Sequence, residues 1–294
     1  MKKGRVSIII PTYNRSFYLK ESIESILNQD YNDIEIIISD NNSTDDTGIV
    51  VQNFKDERIL YFKNQINLGV VANHNLAIEK CTGEFIHIFS DDDIMLERCI
   101  SEKVKILNKY SSVGLVHSSV RTINEYGIIT KNYHWGIDIL GNDKFLRKSE
   151  LQERNSISDF LFNNWNIVCM PSVLVRRNVI DEIGMFNVRL KYLCDWDLWL
   201  RIATKSSFYY LNQTLVSYRQ HDSNIFKENN SVNSLIELFE MKKALIPKYN
   251  FIYKFKMLLD SKAQIERYLG RFDRVVFLKI FFKIFFWPIP FLNF

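Results

Sequence analysis

The sequence predicts an α/β protein built on a mostly parallel sheet covered by helices on both faces. Short apolar runs alternate with helical repeats up to about residue 118. The runs are nearly continuous in Val, Ile, Leu and Phe rather than alternating, as strands buried on both faces should be. Each early run ends in a cluster of small polar residues, the composition of loops at strand ends.

The first run, 6–10, ends in Pro11-Thr12-Tyr13-Asn14-Arg15. Behind it Leu19, Ile23, Ile26 and Leu27 recur at helical spacing, with Ser16 read as the N-cap. The second run, 34–38, ends in Ser39-Asp40-Asn41-Asn42-Ser43-Thr44-Asp45-Asp46. Further strands are expected at 58–62, 84–89 and 113–118, with helices near 70–80 and 97–109. The order then changes. Residues 120–131, centred on Glu125-Tyr126-Gly127, read as a hairpin, and a stretch without clear periodicity to about 155 is expected to be mobile or to face substrate. Helices at 158–163, 176–183 and 196–204 come next, then strands at 207–211 and 215–219. A last helix at 234–245 offers Leu235, Leu238, Phe239 and Leu245 for packing.

With 294 residues and 47% hydrophobic content, the chain suffices for one large domain and an appendage, divided here as 1–225 and 226–294. The four cysteines, Cys81, Cys99, Cys169 and Cys194, show no C-x-x-C spacing, which predicts a reducing, cytoplasmic setting and no zinc site. The apolar run after the basic start is too short for a secretion signal or a membrane span. Charge is uneven: residues 251–294 carry eight Lys/Arg and three acids, net +5, against +4 for the whole chain. That segment also holds thirteen aromatic residues, densest at 275–287, with Lys279 and Lys283 one turn apart. That densest stretch, about 13 residues, is shorter than the ~20 a spanning helix needs, so it is expected to lie on the inner membrane surface as a peripheral anchor. Interleaved basic and bulky apolar residues without a recognition motif argue against nucleic acid.

The strongest chemical signal is Ser90-Asp91-Asp92-Asp93 directly after the apolar run 85–89. Three consecutive carboxylates repel one another unless a cation compensates, and all-oxygen ligands suit Mg or Mn. A cap for the helix after residue 95 would need only one of them. No Gly-x-Gly and no G-x-x-x-x-G-K-[ST] occurs, so a dehydrogenase or P-loop enzyme is not expected. The three polar clusters fall at the carboxyl ends of their strands, where open α/β sheets bind ligands. A bound nucleotide would be held there by side chains and a metal.

These motifs, in order, resemble those of family 2 glycosyltransferases with the GT-A fold. The resemblance rests on 6–15, 39–45, Gly83-Glu84-Phe85-Ile86 leading into 91–93, Cys194-Asp195-Trp196-Asp197-Leu198-Trp199-Leu200-Arg201, and Tyr218-Arg219-Gln220-His221. It implies a Rossmann-like, mostly parallel sheet flanked by helices with a C-terminal helical extension. It also implies inverting transfer of a sugar from a nucleotide-diphosphate sugar to a glycan or lipid-linked acceptor, with Mg or Mn as cofactor, as in bacterial surface polysaccharide (O-antigen or capsule) synthesis.

Residue by residue, the resemblance places Pro11, Thr12 and Tyr13 with Asp40 and Asn41 at the nucleoside, Tyr13 able to stack on a base, and Arg15 is a further expected substrate-binding residue. Asp91 goes near the ribose, Asp92 on the cation with Asp93 in support, and His221 at a position that can complete the metal site. Asn41 stands where a second Asp is frequent, which leaves UDP, dTDP and GDP open. Asp195 is the expected general base, since inversion needs a carboxylate opposite the leaving group. Trp196 offers a sugar a stacking surface, while Trp199 falls at core spacing. A sugar-phosphate nucleotidyltransferase would also use metal and nucleotide, but its glycine-rich basic loop is missing. A non-catalytic nucleotide-sugar-binding protein would not need Asp92 and Asp195 intact.

Overall fold

Strand β1 (Lys2–Thr12) is the axis of the sheet, and Val6, Ile8, Ile9 and Ile10 on it are fully buried. In the computed structural model, which describes residues 1–133, 146–221 and 232–245, β1 is flanked in parallel by β2 (Ile34–Asp40) and β4 (Gly83–Ile88), with β3 (Ile59–Lys63) beyond β2. Every residue of β2 is buried, the signature of a strand covered on both faces. On one face Val6, Ile8 and Ile10 pack with Leu19, Ile23 and Ile26 of α1 (Ser16–Leu27) and with Ile100, Val104 and Leu107 of α4 (Cys99–Lys109). Helix α3 (Val70–Lys80) lies against β1 and β2 outside that cluster, and α2 (Thr47–Asn53) sits beside α1.

Past β4 the sheet becomes mixed. Its order is β3-β2-β1-β4-β9-β6-β10-β5, with β7 added on β6 and β8 on β10. Strand β9 (Val173–Arg176) runs antiparallel between β4 and β6 (Val113–Ile123). The long β10 (Ser207–Arg219) pairs in parallel with β6 and antiparallel with β5 (Ile94–Met95) and β8 (Glu150–Gln152). The expected hairpin is present: β6 and β7 (Ile129–Tyr133) pair antiparallel around 124–128. Helix α5 (Arg154–Asn163), a 3-10 turn at Met170–Ser172, α6 (Arg177–Ile183) and α7 (Cys194–Ala203) complete this part. Trp199 is fully buried, as its spacing predicts.

Several elements depart from their expected form for local reasons. Strand β9 has four residues and runs straight into α6, so its apolar signal merges with that of the helix. Residues 212–214 are exposed and look like a turn, yet β10 continues through them with a bulge between Leu211 and Thr214. Ser16 does not cap α1; its backbone N–H donates instead to Asp45 Oδ2 at 3.0 Å. Helix α4 begins only at Cys99, after Arg98 in a left-handed conformation, so residues 91–93 do not cap it.

The chain divides into two compact units, one of residues 1–190 with 194–222 and one of 191–193 with 223–294. Of the second, the structure describes Lys191–Leu193 and α8 (Val232–Leu245). There Glu237 accepts hydrogen bonds from three consecutive backbone N–H groups, Lys191 and Tyr192 at 2.7 Å and Leu193 at 3.0 Å. The basic-aromatic segment 251–294 lies outside the described residues. No described helix is long and apolar enough to cross a membrane.

His117 on β6 is 1% exposed and bonds Gln152 at 3.0 Å. Burial pushes its pKa down to about 4, only partly offset by Gln152. The unfolded chain therefore takes up this proton first as pH falls below about 6.5, and the stability contribution is lost between there and about pH 4. His117→Phe should thus gain on the wild type by up to about 3 kcal/mol between pH 7 and pH 4. Denaturant melts of both proteins at the two pH values measure that difference, and a constant difference would contradict a buried neutral imidazole.

Candidate active site

Strands β1, β2 and β4 end on one edge, with Thr12 beside Asp40 in register and Ile9 beside Ile88. The polar clusters that follow them are therefore brought together there. The loops after β1 and β2 are stitched by hydrogen bonds: Asn41 N–H to the Thr12 carbonyl at 2.9 Å, Asn14 N–H to Ser43 Oγ at 2.9 Å, and Thr44 N–H to Asn14 Oδ1 at 2.8 Å. Asn14 meets this geometry with a positive φ of 52°, which Asn tolerates better than most residues. Tyr13 is left 45% exposed.

The second cluster is turned inward. Asp40 is fully buried, its Oδ1 accepting from Ser43 N–H at 2.8 Å and its Oδ2 from the Tyr61 hydroxyl at 2.6 Å. Asn41 is 2% exposed, and its carbonyl accepts from Leu68 N–H at 2.8 Å and Asn64 Nδ2 at 3.1 Å. Its amide nitrogen donates to Asn67 Oδ1 at 2.7 Å. Both lone pairs of that carbonyl are thus engaged. Asn41, expected at the nucleoside, is therefore engaged with the loop 64–68.

The carboxylate run is compensated by arginines. Arg15 Nη1 donates to Asp92 Oδ2 at 2.8 Å and also lies 2.8 Å from His221 Nε2. His221 Nε2 is 3.0 Å from the same Asp92 oxygen, and its ring stacks on Tyr18 at 5.1 Å. Asp93 is fully buried: Oδ1 accepts the backbone N–H of Arg219 at 2.8 Å, while Oδ2 makes no hydrogen bond among the described residues. Burial first, then the Asp92 charge, holds the Asp93 carboxyl well above the usual carboxylate range. The same two causes, in that order, push Asp91 up to about 7, against the pull of Arg15.

Arg219 ties this loop to the rest of the fold. Its side chain is 1% exposed; Nε donates to the Asp92 carbonyl at 2.7 Å, and Nη1 to the carbonyls of Asn124 at 3.3 Å and Glu125 at 3.1 Å. Nη2 pairs with Glu21, and the guanidinium lies over the Tyr18 ring at 4.9 Å. One side chain thereby joins β10, the aspartate loop, the β6–β7 turn and α1.

No three described His, Cys, Asp or Glu side chains gather into a cation cage. The pair Asp92 and His221 nonetheless fits a hard cation. Asp92 Oδ2 and His221 Nε2 stand 3.0 Å apart, and each lies 2.8 Å from the same Arg15 nitrogen. Neighbouring ligands of an octahedral ion with bonds of about 2.1 Å stand about 3.0 Å apart. Mg and Mn take few protein ligands of this kind and complete their shell from substrate phosphates and water.

Asp195 sits in the first turn of α7, partly exposed. Its Oδ1 accepts the Trp196 N–H at 2.7 Å and its Oδ2 the Asn166 amide at 2.9 Å. Loss of water raises its pKa to about 6, with those two hydrogen bonds pulling the other way. The buried Cys169 thiol feels both Asp93 and Asp195. Trp196 is 1% exposed, with its indole N–H on the Leu161 carbonyl at 3.0 Å, so the expected sugar-stacking role is corrected to packing. The partly exposed ring beside it is Trp165, 5.3 Å away between centroids. Trp165, Asn166 and Tyr18 lie outside the quoted motifs, and nothing in their spacing marks them.

Residues 7–184 match the model of glycosyl transferase family 2, and the chain belongs to that family. It is 31% identical over 224 residues to an uncharacterized glycosyltransferase of Methanocaldococcus jannaschii, covering 74% of this chain and 72% of the relative. It is 32% identical over 210 residues to the GalNAc(5)-diNAcBac-PP-undecaprenol beta-1,3-glucosyltransferase of Campylobacter jejuni, covering 70% of this chain and 62% of that one. The fold is similar to S. aureus TarS 1-349 in complex with UDP-GlcNAc, with a TM-score of 0.67 at 17% identity over 92% of this chain and 74% of that one. It is also similar to the mannosyltransferase PcManGT of Pyrobaculum calidifontis in complex with GDP-Man and Mn2+, with a TM-score of 0.59 at 17% identity over 89% and 69%. The protein is a glycosyltransferase with a GT-A fold.

Because Arg219 satisfies three backbone carbonyls at once, Arg219→Lys should leave at least two of them unpaired. The expected cost is about 3 kcal/mol, a fall in melting temperature of about 6 to 12 °C. Thermal unfolding followed by circular dichroism measures it, and a lysine variant melting with the wild type would remove the clamp from the account.

Proposed function

We propose that this glycosyltransferase inverts configuration, uses Mg or Mn, and moves a sugar from a nucleoside diphosphate sugar to a hydroxyl of a glycan or lipid-linked acceptor. The observation that carries the reading is the convergence of Asp92 and His221 on a cationic group at the edge where β1, β2 and β4 end. Pro11, Thr12 and Tyr13 would border the nucleoside, Asp91 the ribose, and Arg15 the diphosphate. Asp92 and His221 would hold the cation, with Asp93 and Arg219 fixing the turn that presents Asp92. When bound, Mg or Mn offsets the negative charge that grows on the departing diphosphate.

On the opposite side, Asp195 takes the proton of the acceptor hydroxyl as that oxygen bonds to the anomeric carbon. The bond from that carbon to the diphosphate oxygen breaks, and its electron pair leaves with the nucleoside diphosphate. A single displacement inverts the centre. A carboxyl pushed up to about 6 remains ionised near neutral pH while being a stronger base than an ordinary aspartate.

The acceptor class is proposed from the Campylobacter relative, whose name specifies an undecaprenol-linked glycan. The expected setting is the cytoplasmic face of the membrane in surface polysaccharide synthesis. The net charge of +5 and thirteen aromatic residues of 251–294 support attachment to anionic lipid there.

Calorimetric titration with UDP, dTDP and GDP, each with Mn or with a chelator, tests the donor site. Binding should need the metal, and Asp92→Ala should weaken it by about tenfold or more. Asp195→Asn should keep that binding and lose transfer by a factor on the order of 10² to 10⁴. Metal-independent binding and turnover would overturn the cation, and parental turnover in Asp195→Asn would overturn the base.

A further inference from the structure

We propose that Asn166 is a positioning residue for the general base: its side-chain amide grips one carboxyl oxygen of Asp195 and holds the group in its proton-accepting orientation. The proposal rests on the reading of Asp195 as the base.

The geometry comes first. Asn166 is 9% exposed and precedes the 3-10 turn, in the connection from α5. Its Oδ1 accepts Val168 N–H at 3.0 Å, which settles the orientation of the amide, because the opposite assignment would set donor against donor. Nδ2 must then face Asp195, and it lies 2.9 Å from Oδ2. The second carboxyl oxygen is held by Trp196 N–H at 2.7 Å, so rotation of the carboxyl is blocked at both ends.

Two further ties run between the same segments. The Trp196 indole reaches the Leu161 carbonyl at 3.0 Å, and the Trp165 and Trp196 rings lie 5.3 Å apart. A group that must meet a hydroxyl within a fraction of an ångström benefits from such support, since loose placement loses rate without losing binding.

The electrostatics agree. Burial drives Asp195 toward its neutral form, and neutral donors oppose it: the Trp196 N–H, then the Asn166 amide, then its own backbone N–H. The titratable neighbour from the 3-10 turn is the Cys169 thiol, which burial keeps protonated. On α7 itself Asp197 is paired with Arg201 at 2.8 Å. An amide donor favours the carboxylate over the acid, so Asn166 favours the ionised base while fixing its direction.

The test uses the full chain and two variants. Asn166→Asp keeps the acceptor for Val168 N–H and replaces the donor by a second carboxyl; Asn166→Ala removes both. In NMR titrations of isotope-labelled aspartate carboxyls, with the Asp195 signal assigned by its loss in Asp195→Asn, the midpoint should move upward in both variants. It should move further in Asn166→Asp, where two carboxyls share one site. Hydrolysis of UDP-N-acetylglucosamine or GDP-mannose should show kcat lowered about tenfold or more at pH 6, with the gap narrowing several-fold toward pH 9 in Asn166→Ala. The donor KM should stay within about twofold.

An unmoved Asp195 midpoint, a loss equal at every pH, or failure of both variants to fold would overturn the proposal, the last by making Asn166 a requirement of the fold. Failure of the parent reading looks different: Asp195→Asn would then turn over at the wild-type rate whatever Asn166 does.

Discussion

Three adjacent carboxyl groups at the end of a buried strand set the constraint on which the site depends. In isolation they would repel and splay the loop. Two arginines from distant parts of the chain prevent this in different ways. Arg15 reaches Asp92 from the loop after β1, and it is the partner that a cation could replace. Arg219 reaches the same loop from the end of β10 but binds the main-chain carbonyl of Asp92, and its own N–H binds Asp93. The first contact compensates charge and the second fixes shape. With the main chain fixed by Arg219, the Asp92 carboxylate can change partners without the turn unfolding.

The order of the sheet explains why these pieces meet. Strands β2, β1 and β4 are neighbours and parallel, so their carboxyl ends form one edge. Strand β10 is three positions from β4 but pairs with β5, which directly follows the aspartates, so Arg219 at its end and His221 just past it meet the aspartate loop. The antiparallel β9 between β4 and β6 brings the 3-10 turn alongside, and with it Cys169, which senses carboxyls of both Asp93 and Asp195.

Much of this was legible in the sequence because it depends on local pattern. The apolar runs of β1, β2 and β4 and the polar residues after them mark both the sheet and its ligand-binding edge, and Asp92, Asp195 and His221 stand in motifs that can be read directly. What escaped depends on partners far apart in sequence. Nothing near residue 41 shows that its carboxamide is consumed by Asn64 and Leu68, and nothing near residue 196 shows that its ring is sealed by packing. Arg219 could be quoted within a motif, but its bonds to Asn124 and Glu125, some 95 residues earlier, exist only after folding. Strand β9 was lost for a different reason: four residues are too few to show a period before the helix takes over.

The acids of the site illustrate how environment separates roles within one residue type. Asp93 is fully buried, and one of its oxygens makes no hydrogen bond among the described residues, so burial and then the Asp92 charge hold its carboxyl well above the usual range. Asp195 keeps partial exposure and a donor on each oxygen, which leaves it ionised at neutral pH but basic enough to take a proton. Asp40 is equally buried yet fully hydrogen-bonded, and it serves as a strut between β2 and Tyr61. Of these acids, Asp195 alone is partly exposed and, among the described residues, hydrogen-bonded by neutral donors on both oxygens, the two properties that the proposed proton acceptor needs.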